Sequence, residues 1–182
     1  MNAPYPERRS PRLKGWDYGR NGGYFITICT KSRALTLGTV VGGDAHIAPQ
    51  VRLTALGKLA ETYLASVPGI LKYVVMPNHV HFIVALGSGP MWASAPTMTV
   101  PKLVRTYKTL VTKAHGAAAW QRGYYDHIIR GEEDFLRVWT YLENNPQKWE
   151  LDRYYTQTYN RRMTIPPVNT PMMQQYQRMK EQ

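Results

Sequence analysis

Between Tyr24 and Thr30 the chain reads YFITICT, a β-branched and aromatic run opened by Gly22–Gly23, which predicts a strand. A second glycine pair, Gly42–Gly43, separates TLGTVV from AHIAPQV and predicts a hairpin. After Thr54 the period lengthens. Leu56, Leu59, Ala60 and Tyr63 fall at helical spacing through ALGKLAETYLASV, with Thr54 as N-cap and Pro68–Gly69 as the stop. ILKYVVM and HVHFIVAL follow as two strands joined only by Pro77–Asn78, which implies an antiparallel hairpin. GSGPMWASAPTM reads as a loop. Pro101 suits the first turn of a helix through KLVRTYKTLVTKAHG, with Leu103, Tyr107, Leu110 and Val111 as its apolar stripe. YYDHIIR is a further strand. EEDFLRVWTYLENN is a helix, acidic in its first turn as the helix dipole prefers and closed by Pro146.

The main elements run β-α-β-β-α-β and then one more helix. That order predicts an α+β fold of the ferredoxin-like split β-α-β kind, an antiparallel sheet with two helices on one face and an additional C-terminal helix bearing a tyrosine. The core domain is expected over 23–146. Residues 1–22, rich in proline and arginine, read as a basic N-terminal arm, and 147–182 as a polar C-terminal tail with little core of its own. Such a sheet serves RNA binding, metal binding and catalysis alike, so the fold alone does not decide function.

Composition narrows the choice. The hydrophobic fraction of 43% over 182 residues is ordinary for a soluble domain with a real core. No apolar run approaches the roughly 20 residues of a membrane span. The N-terminus has no apolar signal region, and the expected compartment is the cytoplasm. Cys29 is the only cysteine, which excludes a disulfide framework and a thiolate zinc site within one chain. Lys and Arg number 23 against 12 Asp and Glu, a net charge of +11 that favours a polyanionic partner, nucleic acid above all.

Candidate chemistry begins in HVHFIVAL. Side chains alternate across a strand, so if Val80, Phe82 and Val84 face the two helices, His79 and His81 share the open face, close enough to chelate one metal ion. Two ordinary half-buried histidines satisfy the same pattern. On the last helix Arg137, Tyr141 and Asn145 lie at i, i+4 and i+8, on a stripe apart from apolar Phe135, Val138, Trp139 and Leu142. If this helix covers the open face, it brings a phenol and an amide oxygen to the histidines. A phenol has a pKa of about 10 and is a poor nucleophile at neutral pH, so it needs a cation that polarises its target. Tyr141 as a packing residue at the helix edge, with Asn144–Asn145 as a cap before Pro146, is the plain alternative.

YVVMPNHVHFIV resembles the HUH motif (His, hydrophobic, His) of single-tyrosine transposases. The likeness continues in RRSPRLKGWDYGRNGGYFITICT, VPKLVRTYKTLVTKAHG and WQRGYYDHIIRGEEDFLRVWTYLENNP, in the family's order, and is strongest to the REP-associated tyrosine transposase group. The resemblance implies a metal-dependent single-stranded DNA endonuclease and strand transferase, cutting near DNA hairpins through a 5′-phosphotyrosine intermediate. It implies that His79 and His81 bind a divalent metal, Mg2+ or Mn2+, that Tyr141 is the nucleophile, and that Asn145 completes the metal site. His127 matches a recurrent histidine on the strand before the helix and takes a supporting catalytic or a packing role. A covalent intermediate conserves bond energy for rejoining. Relatives act as a monomer or as a homodimer exchanging the tyrosine helix. A catalytically idle, domesticated nucleic-acid-binding protein of the same fold stays open. So does a relaxase or replication initiator, although those are larger chains with a differently placed tyrosine.

For DNA contact the candidates are Arg8, Arg9, Arg12 and Lys14 in the arm and Lys102, Arg105, Lys108 and Lys113 on the second helix, since cations neutralise phosphates. Taken singly, a solvated surface position is the commoner role for each. Tyr5, Trp16, Tyr18 and Trp92 are candidates for stacking on unpaired bases, and Arg161, Arg162, Arg178 and Lys180 put further charge in the tail.

Overall fold

The protein is described by a computed structural model that covers residues 13, 15–43, 48–87, 98–152 and 154–155. Tyr5, Arg8, Arg9, Arg12, Lys14, Trp92 and the tail arginines and lysine therefore lie outside the described residues.

The alternating run after the first glycine pair forms β1 (Gly22–Cys29). The second glycine pair directly follows β2 (Gly38–Val41), which pairs with β3 (Gln50–Leu53) in a separate two-stranded sheet. Helix α1 (Ala55–Ala65) starts at Thr54, whose hydroxyl accepts from the Gly57 N–H at 3.1 Å. A Cβ on Gly57 would lie 1.9 Å from the Leu37 carbonyl oxygen, so glycine is what allows α1 to seat against that backbone. Strands β4 (Ile70–Met76) and β5 (His79–Leu86) form the tight hairpin, with Met76 opposite His79. Helix α2 (Val100–His115) has Pro101 in its first turn and ends at Gly116 in the left-handed conformation. Strand β6 (Tyr125–Ile129) leads into α3 (Gly131–Asn144). There Asp134 reaches back from the first turn to accept the Arg130 N–H at 2.9 Å.

The main sheet has four strands in the order β4-β5-β1-β6, all neighbours antiparallel, which is the ferredoxin-like arrangement. Register places Tyr24 opposite Val84, Thr27 opposite His81 and Cys29 opposite His79. One face carries Tyr24, Ile26, Ile28, Val80, Phe82 and Val84, which form the main core with Leu56, Ala60 and Leu64 of α1 and Leu103, Val104, Tyr107 and Val111 of α2. The other face carries a smaller cluster in which Val138 and Leu142 of α3 pack on Ile83, flanked by Phe25, Val74 and Ile129. Helix α3 therefore covers the face that α1 and α2 leave free.

Three sequence-level expectations are met differently. Tyr18 is buried in the main core, its hydroxyl donating to Asp126 Oδ2 at 2.6 Å, so it is not a platform for bases. Lys108 is half-buried, with Nζ donating to the carbonyls of Gln121 (2.8 Å) and Gly123 rather than standing out from α2. The stretch just after Pro146 is not all polar tail: Trp149 and Tyr154 are buried, and Trp149–Leu151 form a 3-10 turn. Among the described residues no helix is long and apolar enough to cross a membrane.

Candidate functional site

Strand alternation delivers both histidines to the α3 face. They are buried, at 0% and 1% exposure, with ring centroids 4.3 Å apart. Imidazoles at that depth need partners. Nδ1 of His81 lies 2.8 Å from the Thr27 hydroxyl, its cross-strand neighbour. Nδ1 of His79 lies 2.8 Å from Asn78 Oδ1. The Asn78 amide is oriented by its other end, where Nδ2 donates to the Tyr154 carbonyl at 2.7 Å and the Arg33 carbonyl at 3.3 Å. Its Oδ1 can only accept, so His79 carries its proton on Nδ1 and its lone pair on Nε2. Partners of this kind fix the tautomer and ring orientation that a metal-ligating histidine requires.

Helix α3 brings the phenol. The Tyr141 ring stands edge-on to Phe25, and its hydroxyl lies 3.2 Å from His81 Nε2 and 3.1 Å from Asp152 Oδ2, to which it donates. Burial, with the Asp152 carboxylate beside it, pushes the hydroxyl above the ordinary tyrosine range. The residue still keeps 40% exposure. One turn on, Asn145 is buried and its Nδ2 donates to the same Asp152 oxygen at 3.3 Å, while its Oδ1 is buried with no hydrogen-bond partner among the described residues. The Tyr154 N–H donates to Asp152 Oδ1 at 2.7 Å.

Of the residues singled out from sequence, His79, His81, Tyr141 and Asn145 are thus brought together. His127 is not among them. It faces the same side of the sheet opposite Phe25, but pairs with Asp134 at 2.8 Å, near the start of α3. Lys102, Arg105 and Lys113 are exposed on α2, across the sheet from Tyr141.

Asp152 is the residue the sequence reading passed over. His79, His81 and Asp152 each offer a donor atom within 4.8 Å of the others, a set able to hold one ion, and the orphaned Asn145 oxygen adds a fourth donor at its edge. Imidazole, carboxylate and amide oxygen together suit a divalent cation of the magnesium–manganese kind. The sequence signal was there: WELDRYY, an aromatic and apolar stretch, lies just past the proline that ends α3. Thr27 also went unremarked, although alternation puts it on the histidine face as the polar residue of an otherwise apolar strand.

No protein-family model matches the chain. Over 179 residues it is 32% identical to a Haemophilus influenzae protein described as uncharacterized, and the alignment takes in 85% of this chain and 96% of that one. Among solved structures, that of a REP-associated tyrosine transposase bound to a REP hairpin superposes with a TM-score of 0.52, covering 82% of this chain and 77% of the other at 22% identity.

Proposed function

The chain belongs to one family with the Haemophilus influenzae protein and has the fold of the HUH single-tyrosine transposases, and from these premises we propose that it is a metal-dependent single-strand DNA endonuclease and strand transferase acting near hairpins. The observation that carries the proposal is the meeting of the Tyr141 hydroxyl with His81 and Asp152, 3.2 and 3.1 Å away, on a sheet face where a second histidine and the Asn145 amide also converge. The hairpin as partner is taken over from the REP hairpin bound in the similar structure.

In this reading His79, His81, Asn145 and Asp152 hold a divalent cation, Mg2+ or Mn2+. When bound, the ion supplies charge withdrawal and orientation at the scissile phosphate. Tyr141 Oη attacks phosphorus, the P–O3′ bond breaks, the phenolic proton leaves by way of the carboxylate that accepts its hydrogen bond, and the 3′ oxygen takes up a proton. The product is a 5′-phosphotyrosine and a free 3′-hydroxyl. One ester has replaced another, so the link is available for rejoining to a second 3′-hydroxyl without ATP. His127 acts at one remove, fixing Asp134 and with it the start of α3. The packing of α3 on the sheet of its own chain supports a tyrosine that acts in cis in a monomer; a homodimer exchanging the helix would place it in trans. Lys102 and Arg105, with Arg8, Arg9, Arg12 and Lys14, bind flanking phosphates.

A panel of single-stranded hairpin oligonucleotides incubated with Mg2+ or Mn2+ tests the reading. Wild-type protein is expected to form a covalent adduct that survives denaturing electrophoresis, and Tyr141→Phe none. Wild-type protein that forms no adduct with any member of the panel refutes catalysis and leaves an idle DNA-binding protein of the same fold.

A further inference from the structure

Immediately after β1 the chain makes a 3-10 turn, Lys31–Arg33, in which two non-glycine residues take the left-handed backbone conformation: Ser32 at φ 57° and Arg33 at φ 54°. Such positions are strained for residues with a side chain and persist only where the surroundings impose them. Here the surroundings are the site itself. The Arg33 N–H donates to the Thr30 carbonyl at 3.1 Å, and the Arg33 carbonyl accepts from Asn78 Nδ2, the amide that orients His79. The Thr30 hydroxyl lies 3.0 Å from the Asn78 carbonyl. The turn is fastened to the same asparagine as the metal-site histidine.

The strained backbone sets the position of a guanidinium. Arg33 Cζ lies 5.3 Å over the ring of Tyr154, and that ring is 4.8 Å from the His79 ring and 5.9 Å from the His81 ring. Two other cations on this face are matched by carboxylates: Arg137 by Asp134 at 2.6 Å and Lys72 by Glu143 at 2.6 Å. Arg33 forms no ion pair among the described residues. A half-exposed guanidinium one ring away from two histidines, with no carboxylate of its own, is arranged for an anion that comes from outside the chain.

We infer that Arg33 holds a non-bridging oxygen of the scissile phosphodiester and stabilises the charge that gathers there as Tyr141 attacks. The inference rests on the reading of Tyr141 as nucleophile. A planar guanidinium suits phosphate oxygens better than an ammonium does, and charge developing in a partly desolvated site is where a fixed cation has most effect. Arg33 also stacks on Tyr154, so a purely structural role has to be separable.

The test uses any hairpin oligonucleotide that the wild type converts to adduct, in Mg2+, under single turnover. Arg33→Gly relieves the positive φ, so it is expected to fold and to melt no lower than wild type, and Arg33→Lys keeps the charge without the fork. On the natural phosphodiester, Arg33→Gly should slow adduct formation about 100-fold, and Arg33→Lys less. On the same oligonucleotide carrying a methylphosphonate at the scissile linkage, which removes one oxygen's charge, wild type and Arg33→Gly should differ less than tenfold. Equal losses on both substrates, or a loss under threefold on the natural one, overturn the inference. Arg33→Gly in a Tyr141→Phe background asks the same question without cleavage. The slope of log Kd for a fluorescein-labelled hairpin oligonucleotide against log salt should fall by about 0.7 for one lost single-strand phosphate contact. An unchanged slope overturns Arg33, whereas a wild type without adduct overturns the nucleophile reading instead.

Discussion

The two faces of the main sheet are made by the same two central strands, and they are buried to nearly the same degree. In β5, Val80, Phe82 and Val84 on one side and His79, His81 and Ile83 on the other are all at 1% exposure or less. In β1, Ile26 and Ile28 back onto Thr27. The faces differ in how burial is made favourable. On the α1–α2 face it comes from removing apolar surface from water, about 25 cal/mol for each Å2. On the α3 face, polar groups are as deep but each needs a partner: Thr27 for His81, Asn78 for His79, Asp152 for the Asn145 amide nitrogen. Depth therefore does not separate core from site in this protein. The chemistry of the buried groups does, and on the α3 face the Asn145 Oδ1, beside Asp152, makes no hydrogen bond among the described residues.

Substitutions on opposite sides of one strand pair should then fail in different ways. The largest effect is expected from Phe82→Ala. The ring is fully buried and packs near Tyr107, their centroids 6.5 Å apart. Deleting it should cost about 3–5 kcal/mol, much of the stability of a domain this size. In urea the midpoint should fall steeply, and metal affinity should change little under conditions where the variant is folded. If Phe82→Ala leaves the midpoint within 1 kcal/mol of wild type, that face is not the core.

One position further along in register, on the neighbouring strand and the other side of the sheet, Thr27→Val is nearly isosteric. It should cost less, about 1–3 kcal/mol, for an imidazole nitrogen stranded without a partner. Its signature is functional: Mn2+ binding, followed by the paramagnetic resonance of the free ion, should weaken about 10–100-fold, as when the supporting partner of a metal-bound histidine is removed. A stability loss with unchanged Mn2+ affinity would return Thr27 and His81 to ordinary packing.

The same contrast explains how much could be read from sequence. Periodicity reports which residues share a face, so β1, the β4–β5 hairpin and all three helices followed from it, and so did His79 with His81 and Tyr141 with Asn145. Periodicity cannot report which side-chain oxygen completes a hydrogen bond from another part of the chain. Asp152 lies beyond a helix-ending proline, in residues whose charge resembled a solvated tail, and only the fold brings it 3.1 Å from Tyr141. Lys108 failed for the converse reason. Its place between Arg105 and Lys113 on α2 suggested a basic stripe, yet a lysine's long stem lets its charge turn back onto backbone carbonyls, which no spacing rule encodes.

That inward turn gives the smallest effect and the finest division between the faces, because Lys108 is a charge placed at the margin of the apolar side. Burial lowers its pKa from 10.5 to about 8, against an opposing contribution from Cys29. Below pH 8 folded and unfolded chains both carry the charge, and the fold bears its full desolvation cost. As pH rises through 8 the folded state releases the proton first, the unfolded state holds more protons, and stability increases until both forms are neutral above about 10.5. Urea midpoints measured across that window should therefore climb more in wild type than in Lys108→Met, whose apolar side chain fills similar space. Taking the difference between the two proteins cancels the titration of the tyrosines they share. Parallel curves would mean that Lys108 stays solvated and available to phosphate. In that case the variant should also lower the salt slope of oligonucleotide binding, as Lys102→Met and Arg105→Met are expected to do and Lys108→Met is not.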